Sequence, residues 1–188
     1  MSAPALVRFE AAFERHHRAV LAYALRRTPT AADAEDAAAE TFAVAWRRID
    51  RLPDPETELP WLLAIARRVL ANQHRGSGRR FRLGLRLRAQ PKTVPPIHAV
   101  ETPALEALSR MRADDQELLR LLAWDGLSQA EAGVVLGISP NAVAIRLHRA
   151  RRRFAEELAR VKGSDAGRTS SEVEGRLPGH RSHEETAP

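Results

Sequence analysis

The amino-acid sequence predicts an all-α protein of two small helical domains joined by a flexible linker. Three observations carry that expectation. Apolar residues recur at helical spacing through two blocks, and no segment has the alternation of a half-buried strand. Between the blocks, GSGRRFRLGLRLRAQPKTVPPIHAVETP is rich in Gly, Pro and Arg and holds no helical period. Further on, two short helical signatures are separated by only Gly137, Ile138 and Ser139, the spacing of a helix-turn-helix. The expected boundaries are 1–75 for the first domain, 76–102 for the linker and 103–162 for the second domain. Residues 163–188, dominated by Ser, Gly, Glu, Arg and His, read as a disordered tail.

Each element has its own chemistry. Phe9, Phe13, His17, Val20, Leu21 and Ala24 mark the first helix. Thr30 and Asp33 stand at capping-box spacing, and Ala38, Phe42, Ala45, Trp46 and Ile49 follow as the apolar stripe of a second. DRLPDPETELP, residues 50–60, holds three prolines and reads as a loop. Residues 61–75 read as a third helix, with Leu62, Ile65, Ala66 and Val69 inward and Arg67, Arg68, Asn72 and Arg75 largely elsewhere. The linker is strongly basic through Arg79, Arg80, Arg82, Arg86, Arg88 and Lys92. Leu105, Leu108, Leu118, Leu119, Leu121 and Leu122 then open the second helical block.

In LSQAEAGVVLG, Ser128 and Glu131 form a capping box, and Gly137 suits the left-handed position that ends a helix. Ser139 is a strong N-cap type and Pro140 fits the first helical position, where its missing N–H costs nothing. From there Val143, Leu147, Ala150 and Phe154 stack on one face. Asn141, Ala142, Ile145, Arg146, Arg149 and Arg153 fall on the other side, an edge suited to something anionic. A plain helical hairpin with a solvated basic face is the competing reading. The tight turn and paired caps favour DNA.

Composition narrows the classes. The 188-residue chain carries a net charge of +6, consistent with a polyanionic partner. Without cysteine, disulfides, thiol catalysis and zinc-thiolate sites are excluded. The seven histidines do not assemble a ligand set, so neither a metal nor a cofactor is expected. With no nucleophile motif and no Gly-rich phosphate loop, an enzyme is not expected either. No apolar run approaches membrane-spanning length and the N-terminus has no secretory apolar core, which predicts a cytoplasmic protein without membrane insertion.

Three motifs in order resemble the bacterial sigma factors of the extracytoplasmic-function (ECF) type, over about 9–75 and 105–158. DAEDAAAETFAVAW, residues 33–46, is similar to that family's core-polymerase-binding helix. PWLLAIARRVLANQHR, residues 60–75, is similar to the segment leading into −10 recognition. LSQAEAGVVLGISPNAVAIRLHRARRRF, residues 127–154, is similar to the −35 reader. The resemblance implies a sigma-2-like and a sigma-4-like domain, with core RNA polymerase, promoter DNA and, in some cases, an anti-sigma factor as partners. It implies polymerase contacts at Asp33, Asp36, Glu40, Phe42 and Trp46, −10 contacts at Trp61, Arg67, Arg68, Asn72 and Arg75, and −35 contacts at Asn141, Ala142, Ile145, Arg146 and Arg149. A base of the melted −10 strand would sit under the 50–59 loop, and the phosphodiester chemistry would be the polymerase's. Many members differ at Ala132, Gly133, Val134 and Ala144, and Asn72 and Arg68 stand where aspartate and asparagine are common.

Structural roles compete at most of these positions. Asp33, Asp36 and Glu40 near a helix start also offset the macrodipole. Phe42, Trp46 and Trp61 also suit a core, and Arg146 and Arg149 also suit a solvated surface. Two other functions remain open at this level. One is a stand-alone, dimeric helix-turn-helix regulator reading half-sites about 34–36 Å apart. The other is an RNA-binding adaptor, which only the basic linker favours.

Overall fold

The computed structural model describes residues 3–84 and 102–174, which form seven α-helices and one 3-10 turn with no strand among them. The first unit contains α1 (Ala3–Leu25), α2 (Ala31–Arg47), the 3-10 turn (Ile49–Arg51) and α3 (Glu58–Gly84). The second contains α4 (Pro103–Ser109), α5 (Ala113–Ala123), α6 (Gln129–Leu136) and α7 (Pro140–Glu174). Among the described residues no single helix is long and apolar enough to cross a membrane.

Local chemistry explains the helix starts. The Thr30 hydroxyl accepts the Asp33 N–H at 3.1 Å, and the Thr102 hydroxyl accepts that of Leu105 at 3.3 Å. α3 begins at Glu58, three residues before the expected Trp61. Pro60 then lies in the first turn, where no N–H is needed. Glu58 is buried and anchors this start to α1, bonded to His16 Nε2 at 3.0 Å and to Arg15. The other end of the loop is tied down as well: Leu52 is buried and its carbonyl accepts from Arg8 at 2.9 Å. The expected 50–60 loop is therefore a short strap over α1, with a 3-10 turn at one end and the first turn of α3 at the other.

Two helices outrun their expected ends. α3 continues to Gly84, so the first nine residues of the expected 76–102 linker are helical. α7 continues to Glu174 through Gly163, the expected start of the tail. Propagating a helix already nucleated adds one bond per residue, so a glycine costing about 1 kcal/mol slows it without stopping it. The remaining linker residues, 85–101, and the remaining tail, 175–188, lie outside the described residues.

One contiguous apolar core runs through both units. Val20, Tyr23 and Ala24 of α1, Ala34, Ala37, Phe42 and Ala45 of α2, and Leu62, Leu63, Ile65, Ala66, Val69 and Leu70 of α3 belong to it. So do Leu118 and Leu121 of α5, Ala132 and Val135 of α6, and Val143 and Leu147 of α7. α3 packs directly against α6. A satellite cluster of Leu108, Met111 and Ala150, with Phe154, seats α4 on α7. The two units thus share a buried boundary in addition to their connection along the chain.

Candidate nucleic-acid interface

The helix-turn-helix forms as its caps dictate. Ser128 Oγ accepts the Glu131 N–H at 3.3 Å, while the Glu131 carboxylate accepts the Ser128 N–H and hydroxyl, each at 2.7 Å. The bond from the Ser128 hydroxyl, then that from its N–H, hold the Glu131 carboxyl below the usual range. Gly137 takes φ 71° and ψ 33° to close α6. α7 then opens with the Ala142 N–H on Ser139 Oγ at 3.2 Å, and the two helices meet at 99°. That angle lets one helix lie across a duplex while the other enters the groove.

Gly133 makes the turn this tight. Its carbonyl accepts the N–H groups of Gly137 at 2.8 Å and Ile138 at 3.0 Å. A Cβ at this position would stand 2.8 Å from the Ile138 carbonyl oxygen, a backbone atom. Gly133→Ala therefore gains about 1 kcal/mol of helix propensity but forces the turn apart, an overpacking that costs about 1–3 kcal/mol. The expected result is a melting temperature lower by about 2–4 °C. An unchanged or raised value would mean that the turn yields freely.

α7 buries Val143, Leu147 and Ala150 and leaves Asn141, Ala144, Ile145, His148, Arg149 and Arg152 exposed. Ile145 keeps 48% of its surface in water, which packing does not explain. Ala142 is half-buried at the edge of this face. Arg146 and Arg153 are not free on it. Arg146 Nε donates to Asp115 at 3.3 Å and its Nη2 lies 3.1 Å from Asp114, while Arg153 donates to Asp115 at 2.6 Å. Asp115 is 31 residues from Arg146 in sequence, so no local pattern announces the pair. His148 and Arg152, one turn apart, extend the exposed face instead.

On α3, Arg68, Asn72 and Arg75 are exposed, with Arg75 bonded to Asn72. Arg67 is half-buried and lies 3.9 Å from Asp114 on α5. Trp61 is half-buried and packs against the core.

The third face lies between α1 and α2. Leu6, Phe9, Phe13, Ala39, Phe42, Ala43 and Trp46 line an open groove of about 420 Å³. Its aromatic rings interlock, Phe9–Trp46 at 5.0 Å and Phe13–Phe42 at 4.8 Å between centroids. Phe42 is buried as its floor, Trp46 is a half-buried wall, and Phe13 remains 42% exposed. Phe9 and Phe13 read in sequence as one more core stripe, and only the gap beside α2 makes them a surface. Asp36 and Glu40, both exposed, share the face of α2 that carries Ala39 and Ala43. Asp33 is engaged in its own cap, accepting the Thr30 hydroxyl at 2.6 Å.

Comparison with known proteins finds a family match for each helical unit. Residues 12–80 match Sigma-70 region 2 and residues 102–154 match Sigma-70, region 4. A Xanthomonas campestris pv. campestris protein named "Probable RNA polymerase sigma factor RfaY" is 36% identical over 74% of this chain, and the match spans 37% of that longer protein. ECF RNA polymerase sigma factor SigL of Mycobacterium tuberculosis is 30% identical over 73% of this chain and 81% of its own length. The sigma factor RpoE of Bartonella quintana, solved in complex with the anti-sigma factor NepR, shares the fold at a TM-score of 0.62 and 24% identity, over 81% of this chain and 97% of that one. With both sigma-70 regions present in order on two helical units, the chain belongs to the ECF-type RNA polymerase sigma factors.

Proposed function

We propose a division of labour among three faces of a chain whose work, as a sigma factor, is to bind core RNA polymerase and direct it to −35 and −10 promoter elements. The exposed edge of α7 reads the −35 element, with Asn141, Ile145 and Arg149 toward base edges and Ala142 at the margin. Arg146 serves there once it leaves Asp114 and Asp115. The exposed edge of α3 faces the −10 element with Arg68, Asn72 and Arg75, joined by Arg67, and Trp61 braces the helix from the core side. The groove between α1 and α2, floored by Phe42 and walled by Trp46, receives a basic amphipathic helix of the polymerase against the acidic rim of Asp36 and Glu40. Asp33 contributes to that face mainly by capping α2.

The chain works by recruitment, in the cytoplasm, and leaves the phosphodiester chemistry to the polymerase. An anti-sigma factor is proposed as a further partner, as for the Bartonella quintana protein. The dimeric regulator and the RNA adaptor are not favoured, since neither needs both sigma-70 regions.

The observation that carries the −35 assignment is the exposure of Ile145 and Arg149 on a helix whose opposite side is buried. Ile145→Ala and Arg149→Ala should bind core polymerase normally yet lose −35-dependent transcription. A bidentate base contact is worth about 1–3 kcal/mol, so Arg149→Ala should cost roughly 5- to 150-fold. Normal transcription from both variants on a −35-dependent promoter would assign the reading face elsewhere.

A further inference from the structure

The basic edge of α7 has an apolar side chain at its apex. Ile145 lies in the second turn of the helix, on the side opposite the buried stripe of Val143, Leu147 and Ala150. It keeps 48% of its surface in water and belongs to neither apolar cluster of the described residues. Asn141 stands one turn before it and Arg149 one turn after, with His148 beside them, all exposed. Ala142 and Ala144 flank it with nothing larger than a methyl group, so the isoleucine projects beyond them. Arg146, the other large neighbour, is turned aside to Asp114 and Asp115.

The first turns of a recognition helix are the part that reaches base edges. In the major groove those edges are donors and acceptors with one exception, the 5-methyl group of thymine. An isoleucine set against a phosphate or a polar base edge removes that group's water and returns no hydrogen bond, which is unfavourable. Set against a methyl group, it buries apolar surface on both partners. Branching at Cβ holds χ1 in one rotamer on a helix, so the side chain meets the groove already in position. Its polar neighbours suit the flanks of such a site. Asn141 and Arg149 each lie about 6 Å along the axis from Ile145, roughly two base-pair steps of about 3.4 Å. Arginine pairs with the O6 and N7 of guanine, and asparagine with the N6 and N7 of adenine.

We propose that Ile145 is a specificity-determining residue of this chain: it reads the 5-methyl group of one thymine in the −35 element, while Arg149 reads a guanine about two base pairs away. This rests on the reading of α7 as the −35 reader and adds to it the class of base at its centre. The preference is set by shape and desolvation rather than by hydrogen bonds. It therefore excludes cytosine, which offers an amino donor and no methyl group at that edge, and it separates thymine from uracil, which pairs identically.

The test uses holoenzyme assembled from the full-length chain and core polymerase, which selects promoters from a duplex pool randomised across both element windows. The selected promoter is then synthesised with each thymine of its −35 element replaced in turn by deoxyuridine, a change that removes only the methyl group. For the wild-type chain one such replacement should weaken binding about fourfold, the size expected for a single buried methyl. In Ile145→Ala the same replacement should cost less than about 1.5-fold, because the partner surface is gone already. Ile145→Val keeps the branch at Cβ and should retain at least a twofold effect. Alanine at this exposed position leaves the core intact, so the comparison is made between folded proteins. No thymine sensitive to loss of its methyl group, or a sensitivity undiminished in Ile145→Ala, would overturn the proposal. Arg149→Ala tests the underlying reading separately, since it should relax the choice of base pair about two steps from that thymine. If Arg149→Ala and Ile145→Ala both select the wild-type sequence, α7 is not the −35 reader and the proposal falls with that reading. If Arg149→Ala alone changes the selection and no methyl group matters, the reading stands and the role given to Ile145 is wrong.

Discussion

Asp36→Lys with Glu40→Lys is expected to lose at least a hundredfold in competition with the wild-type chain for core polymerase, with its helical circular dichroism unchanged. Both side chains are exposed on the rim of the apolar groove between α1 and α2. Their folding roles are small. The Glu40–Arg47 contact, at 2.8 Å, joins two largely exposed side chains, and such pairs contribute about 0–1 kcal/mol. Asp36 lies beyond the first turn of α2, where the macrodipole has fallen off, and Asp33 alone is acidic within that turn. Against a basic partner the reversal places like charges together, which costs several kcal/mol, and a hundredfold needs only about 2.7 kcal/mol. Equal competition by the double variant would remove both acids from the polymerase-binding face.

Removing residues 89–96 should abolish transcription from a promoter that needs both elements, while each unit still folds. The argument is one of reach. Because α3 stays helical to Gly84 and α4 is capped at Thr102, the units are joined by the stretch between those two residues. Eighteen residue steps span at most about 60–65 Å at ~3.3–3.6 Å each. The readers must sit on the order of 70 Å apart, a gap that the domains themselves fill only in part. Ten steps reach about 35 Å, too little to serve two separated elements. Full activity from the shortened chain on a two-element promoter would mean that the units never read both together, and the mechanism proposed here would fail with it.

The parts of this structure legible in the sequence are those set by neighbours along the chain. A cap is settled within four residues, so Thr30 with Asp33, Ser128 with Glu131, Gly137 and Ser139 with Pro140 all announced their geometry. The buried stripe of α7 was readable for the same reason, since Val143, Leu147 and Ala150 lie one turn apart whatever surrounds them. Helix ends without a cap were not readable. Gly76 and Gly163 weaken a helix without closing it, and both helices ran on.

Which stripe meets a core and which meets solvent was decided only in three dimensions. Phe9 and Phe13 have the spacing of buried residues, yet the packing of α1 on α2 leaves them lining an open groove. Arg146 and Arg149 look alike on a helical wheel. One is held by Asp114 and Asp115 and the other is free, because α5 packs against one side of α7 and not the other. The bonds from Tyr23 and Arg27 to Glu117 and Asp125 cross more than 90 residues, apart from the 90 between Arg27 and Glu117. Backbone propensity acts over a few residues, whereas desolvation and ion pairing act wherever two surfaces meet, so pairings of this kind arise only when the chain has folded.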